Sequence, residues 1–345
     1  MCRSGDRVTS AVKPLECWAA MEASSLTAPA GLPRTRRLGD RVGDVVLATL
    51  TGLAALLGLG LVAAIVWRVA AGAWPAIRVF HLGFLWHNTW NPVVNEFGAR
   101  DLIIGTLVTS FGAILIAAPL SIAIGLFLSE LAPPAVRGPV GTLIEMLAAV
   151  PSVVVGLWGI YVLAPFNAQH VQPFLSSFLG WIPIFANGQD KIESTVFSAM
   201  IVLTIMIIPI TSSICRELFL SVPTELEEGA VGLGATRWEM VRTVVIPAVR
   251  GGVVAAIILG LGRALGEAIA VTQVIGNFIP LKVSIFQPGD TLASRTANQY
   301  QGAVSNIQVA SLIYLALILL VITFIANFAA QRIVKRFEFQ RAGGD

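Results

Sequence analysis

SVPTELEEGAVGLGATRWEMVRTVVIPAV, residues 221–249, is a charged segment set between two long apolar runs. Pro223 suits the opening of a helix, with Glu225, Glu227 and Glu228 near the positive end of its dipole. Gly232 and Gly234 supply the backbone freedom that stops it. Thr236-Arg237-Trp238-Glu239 then has capping-box spacing, in which hydroxyl and carboxylate each satisfy a backbone N–H at the start of a second helix. Pro247 closes the motif. The segment reads as a helical elbow between membrane spans, shaped to dock in a groove of another protein and bearing nothing like an active site.

The runs on either side set the class. The chain has 345 residues, of which 56% are hydrophobic and 12% charged, and its mean hydropathy is +0.80, far from an ordinary soluble domain. Uncharged stretches cover 45–67, 102–129, 146–189, 194–215 and 296–331, and the run 251–276 is interrupted only by Arg263 and Glu267. Each reaches the roughly 20 residues that cross a hydrocarbon core. The third is too long for one span, and Pro165, Asn167, His170, Pro173 and Pro183 mark where it leaves the helix. The expected fold is an all-α integral membrane protein with six transmembrane helices near 44–69, 102–130, 140–165, 193–215, 249–275 and 308–333. These make a transmembrane domain over 44–336, with a disordered polar tail over 1–43 and a short tail over 337–345.

An even number of spans puts both termini on one side. That side, with Arg137 and the elbow, carries sixteen Lys and Arg against six on the other, so the positive-inside rule places termini and elbow in the cytoplasm. Trp67, Trp74, Trp86, Trp90 and Trp181 then fall near the external interface. The net charge of +3 is mostly this topological signal and gives no support for nucleic acid as a partner. The first apolar run reads as a span and not as a cleavable signal, and Met21 offers an alternative start. Cys2, Cys17 and Cys215 do not form a disulfide framework, and His81, His87 and His170 lack metal-ligand spacing.

Charge inside the membrane is the best guide to function. Arg263 and Glu267 stand i, i+4 on the fifth span, which puts them on one helical face within reach of each other. An Arg at a helix centre is disfavoured by about 2.5–3.5 kcal/mol and generally faces a bundle interior or a watery path. Its fork of donors suits a tetrahedral oxyanion, and the carboxylate would temper the grip; a structural ion pair between spans is the competing reading. Gly262 and Gly266 make a G-x-x-x-G step beside the pair, which favours close helix packing. Glu145, near the start of the third span, fits snorkelling or stabilisation of a helix N-terminus. Pro119, Pro151 and Pro209 interrupt spans two, three and four.

The order of these motifs resembles a known family. Glu228-Gly229-Ala230, three residues, Gly234, nine residues and Val244-Val245-Ile246-Pro247 is similar to the E-A-A-x3-G-x9-I-x-L-P loop of importer permeases of the ATP-binding-cassette (ABC) class, with Gly229 in place of the usual Ala. Gly260-Leu261-Gly262-Arg263-Ala264-Leu265-Gly266-Glu267 resembles the PstC-type permease subunits of phosphate importers, as do Trp90-Asn91-Pro92, Phe97-Gly98 and the run 144–152, and the likeness covers roughly 74–336. It implies a type I importer permease fold in a bacterial inner membrane, with Glu228, Gly229, Ala230, Gly234 and Pro247 in the ATPase-coupling loop and Arg263 and Glu267 in phosphate translocation. It implies as partners a homologous PstA-type permease, two PstB-type ATPases that use ATP and Mg, and an external PstS-type phosphate-binding protein. The chain itself is expected to bind no cofactor and to be no enzyme, since it lacks the G-x-x-x-x-G-K-[ST] phosphate loop. An importer of another oxyanion such as sulfate or molybdate, and an ATP-independent ion carrier, are the alternatives; the elbow argues against the carrier.

Overall fold

The computed structural model describes residues 38–186 and 188–342. The chain divides into two compact units, 1–64 and 65–345. The described part of the first is helical and belongs to helix α1, Leu38–Phe80, whose valines and leucines from Val45 to Val62 are exposed. The tail expected over 1–43 lies outside the described residues up to 37, and residues 38–43 already belong to α1.

Six helices are long and apolar enough to cross a membrane: Gly43–Leu85, Arg100–Leu131, Ser152–Leu179, Val196–Leu220, Arg237–Gly266 and Asn306–Arg332. After α1 the chain makes a small antiparallel ribbon, β1 (Trp90–Asn91) against β2 (Glu96–Phe97), which the sequence reading does not anticipate. Its turn is held by the Val93 N–H donating to Asn91 Oδ1 at 3.0 Å, and the Trp90 and Phe97 rings meet edge-on at 4.9 Å. Helix α2 (Arg100–Leu126) follows, with Pro119 inside it.

The expected third span is divided. Helix α3 (Pro134–Ala148) ends before Pro151, because Pro151 has no N–H to donate and restricts Val150. The next helical rod, Ser152–Leu179, comprises α4 (Ser152–Trp158), α5 (Ala164–Phe166) and α6 (Gln172–Leu179), joined by π-helical turns at Gly159–Leu163 and Asn167–Val171. Pro165 and Pro173 therefore do not end the helix. Each stands two residues after a π turn, as Pro247 does after Val241–Val245. A helical proline leaves the carbonyl four residues back unpaired and presses its ring against it; widening the preceding turn relieves both.

Helix α7 (Val196–Leu220) is the axis of the second unit, with 67% of its most apolar stretch buried, and Pro209 is accommodated within it. Beyond it come α8 (Thr224–Gly232), α9 (Arg237–Met240), α10 (Ile246–Gly266), α11 (Ile269–Val274), α12 (Leu292–Gln299) and α13 (Asn306–Ala342). Helix α13 thus runs through 337–342, expected as tail.

One core joins Ala113, Leu203, Ile207, Ala264, Val274 and Phe286, between α2, α7, α10 and α11. Apolar burial alone drives little association inside a bilayer, so close backbone approach at small residues matters more. A Cβ at Gly112 would lie 2.1 Å from Met200 Cε, and one at Gly260 would lie 2.8 Å from Ile207 Cγ2. The close approaches on α10 are therefore at Gly260 and at Gly252, where a Cβ would lie 2.6 Å from Leu218 Cδ2, and not at the expected G-x-x-x-G step: at Gly262 a Cβ would reach only Asn327, at 3.6 Å, and at Gly266 it would meet nothing within 4 Å.

Candidate functional site

The elbow forms as its residues dictate. Helix α8 ends in a Schellman motif: the Ala235 N–H donates to Ala230 O (3.1 Å), the Gly234 N–H donates to Val231 O (2.9 Å), and Gly234 adopts φ +92°. Gly234 is the residue that needs positive φ; Gly232 is the last helical residue. The capping box is present, with the Thr236 N–H donating to Glu239 Oε2 at 2.8 Å and the Glu239 N–H donating to Thr236 Oγ1 at 3.3 Å. Val222, Met240, Val241 and Val245 pin the elbow to Cys215 and Phe219 of α7, with Ala230 packed at the edge. Glu228, Gly229, Leu233, Gly234 and Trp238 remain exposed on the outer side. Pro247 does not close the second helix, which runs on from Arg237 through the π turn to Gly266.

Burial, and then the charge of Glu130 at the end of the second span, push the Glu227 carboxyl above its usual range. A raised folded value means a contribution to stability that is present below the ordinary carboxylate range and lost as pH rises through the folded value. Glu227→Gln is expected to flatten the pH dependence of the elbow's protease resistance, measured on membranes between pH 4 and 8, on the order of the carboxylate titration range.

Arg263 and Glu267 are placed differently from the i, i+4 expectation. Helix α10 ends at Gly266, and Glu267 is extended at φ −73°, ψ 115°, so the two side chains do not share a helical face. No ion pair within 4.0 Å joins them among the described residues. Glu267 Oε1 instead accepts the Ala270 N–H at 3.4 Å, at the start of α11. Arg263, in the last turn of α10, is exposed, as are Leu259 and Ile269 on either side in sequence. Among the described residues the guanidinium has no carboxylate within 4.0 Å, and the structural ion-pair reading loses its geometry.

Glu145 sits one turn before the C-terminal end of α3, which rules out the helix-N-terminus explanation. Its Oε1 is 3.8 Å from Arg216 Nη1 of α7, a partner the sequence reading passes over.

Within the stretch 276–307, residues 284–295 are folded inward. Asp290 and Arg295 form a buried ion pair with Nε–Oδ2 at 2.6 Å, and the Arg295 guanidinium lies 5.8 Å from the Trp90 ring centroid. Trp90 Nε1–H donates to Gln299 Oε1 at 2.7 Å. Thr291 caps α12 through the Ser294 N–H (3.1 Å), and the Leu292 N–H donates to Thr106 Oγ1 of α2 (2.9 Å). A Cβ at Gly105 would stand 2.0 Å from Asp290 O, so only glycine permits this approach. The same segment caps α7 from outside: the Val196 N–H donates to Gln287 O (3.1 Å) and the Phe197 N–H to Ile285 O (2.8 Å), satisfying donors that a helix start leaves open. Trp90 was legible as a motif residue, whereas its link to Arg295 had no signal in the sequence.

Six apolar helices, with a capped helical elbow at the start of the fifth, define a multi-pass membrane protein. Residues 121–339 match the family described as binding-protein-dependent transport system inner membrane component. The chain is 42% identical over 306 residues to the phosphate transport system permease protein PstC of Pasteurella multocida (88% of this chain, 95% of the relative). It is 43% identical over 299 residues to the protein of the same name from Mesorhizobium japonicum (86% and 91%). Among solved structures, a bacterial alginate ABC transporter in complex with an alginate-bound periplasmic protein aligns with TM-score 0.51 at 20% identity (85% of this chain, 98% of that chain). The inward-facing MetNI methionine ABC transporter aligns with TM-score 0.51 at 17% identity (69% and 95%). The chain belongs to the binding-protein-dependent transport inner-membrane family, in its PstC-type phosphate permease branch. Six apolar helices and this membership make it a multi-pass membrane protein.

Proposed function

We propose that the chain forms half of the translocation pathway of an ATP-driven phosphate importer, with Arg263 meeting phosphate and the elbow meeting the ATPase. The observation that carries this reading is the unbroken helix Arg237–Gly266, which has the elbow's capped turn at one end and Arg263 in its last turn. At 1.5 Å per residue its 30 residues span roughly 45 Å. Movement of the elbow is delivered along this rod to the guanidinium. Arg263 supplies forked donors to a tetrahedral oxyanion, and Glu267, held at the start of α11, sits four residues on as a counterweight. Exposure of Arg263, Leu259 and Ile269 on the chain's own surface fits a pathway completed by a second, PstA-type permease.

Both termini and the elbow face the cytoplasm of a bacterial inner membrane in this reading, in keeping with the Lys and Arg excess on that side. Two PstB-type ATPases supply ATP hydrolysis with Mg, and a PstS-type protein delivers phosphate from outside; the chain has no ATPase site of its own. The docking face is Glu228, Gly229, Ala230 and Gly234, with Pro247 carrying the load into the rod.

Ala230→Arg puts a long cation at the edge of this face, outside the apolar helices. Normal membrane abundance is expected, with co-purification of the ATPase and phosphate uptake both reduced at least about tenfold, as for a hot-spot contact worth ~2 kcal/mol. Wild-type ATPase yield with unchanged uptake would remove the elbow from the coupling path.

A further inference from the structure

A groove of about 520 Å³ opens beside the first turn of α2, far along the chain from both the elbow and Arg263. Leu85, Ile103, Ile104, Leu317, Val321 and Ile322 line it, so its wall is almost wholly hydrocarbon. It follows α13 from Tyr314 to Ile322, roughly 12 Å at the helical rise. Ile104 and Val321 are exposed, so the groove is open to its surroundings and is not a void sealed in the core.

Its mouth has a different chemistry. Arg100, the first residue of α2, and Trp86, 77% exposed, stand there. The Arg100 backbone N–H donates to His87 O at 3.1 Å, but its guanidinium is exposed and has no carboxylate within 4.0 Å among the described residues. The adjacent Asp101 cannot serve, because its Oδ2 is turned inward to accept the Leu281 N–H at 2.9 Å. An unpaired cation and an indole at the end of an apolar trough occur where the hydrocarbon of a bilayer gives way to headgroups. The partner this fits has an anionic head and an apolar tail.

We propose that this groove is a binding site for an anionic glycerophospholipid, one acyl chain lying along α13 and the phosphate on Arg100. The site concerns whichever leaflet abuts residues 81–100, and it is independent of the transport reading. An exposed guanidinium at the end of an apolar trough matches the two ends of a single phospholipid, its phosphodiester at Arg100 and its acyl chain along the trough.

The test uses the full chain extracted from membranes, exchanged into phosphatidylcholine nanodiscs with a minor fraction of phosphatidylglycerol, and examined by native mass spectrometry. Wild type is expected to retain one phosphatidylglycerol per chain. Arg100→Gln should weaken that retention about tenfold, as expected for the loss of a charge-assisted hydrogen bond, while Arg100→Lys keeps most of it. Val321→Trp should displace the lipid with Arg100 still in place, by filling the trough from an exposed position. Inorganic phosphate at millimolar levels should fail to compete, since it lacks the tail. Equal phosphatidylglycerol retention by wild type, Arg100→Gln and Val321→Trp would overturn the proposal. So would displacement of the lipid by inorganic phosphate alone, or efficient cross-linking of a Val321→Cys variant in intact membranes to a second polypeptide at this groove.

Discussion

Arg263→Gln is expected to lower phosphate uptake by roughly 10- to 100-fold at unchanged membrane abundance, the cost of one or two charged hydrogen bonds to an oxyanion. Arg263→Lys keeps the charge but loses the planar fork, and should fall between Gln and wild type. Abundance should hold because Arg263 is exposed and pairs with no carboxylate within 4.0 Å among the described residues, and exposed substitutions usually shift stability by no more than about 0.5 kcal/mol. The double variant Arg263→Gln with Glu267→Gln separates this from a structural pair. Removing both charges of a structural pair relieves the unpaired partner, so uptake would recover. With Glu267 engaged at the Ala270 N–H instead, no recovery is expected; near-normal uptake by a well-expressed double variant would take phosphate contact away from Arg263.

The second large effect lies at the Asp290–Arg295 pair. Arg295→Met is expected to destabilise the chain by about 3–5 kcal/mol, because it leaves a buried carboxylate without its counter-ion. Desolvation already holds the Asp290 carboxyl above its usual range, and Arg295 is the leading influence pulling it back down. A folded value above the unfolded one contributes stability that is present below the ordinary carboxylate range and lost as pH rises through the folded value. Without Arg295 the folded value climbs further, so the variant should lose stability more steeply with rising pH than wild type. Asp290→Asn combined with Arg295→Met should recover much of the loss and flatten its pH dependence. Thermal unfolding of detergent-solubilised protein across a pH series reads both effects; an Arg295→Met variant as stable as wild type would show that the pair is dispensable.

What could be read from the sequence was chemistry that acts over a few residues. The Thr236–Glu239 capping box and the Gly234 stop depend on local donors and on one positive φ, and both stand as the residues suggest. Six apolar helices were equally accessible, because length and composition suffice. The Arg263–Glu267 geometry was out of reach, since the i, i+4 rule assumes a continuous helix and α10 stops between them, at Gly266. Glu145 was misplaced for a related reason: the break at Pro151 makes it the end of one helix and not the start of another. The Asp290–Arg295 knot had no local signature at all. It exists because Gly105, on a distant helix, lets the backbone at Asp290 come close, and Thr106 beside it receives the Leu292 N–H.

The three π turns that precede Pro165, Pro173 and Pro247 also reset the phase of the helical wheel. A wider turn takes up about one residue more than an α turn, and one residue is roughly 100° around the axis. Positions spaced by three and four on opposite sides of Val241–Val245 therefore do not line up on one stripe, although the rod is unbroken. A side chain in the elbow and one in the fifth helix that look aligned on paper point about a quarter-turn apart, so any stripe of pathway-facing residues has to be counted afresh from Ile246.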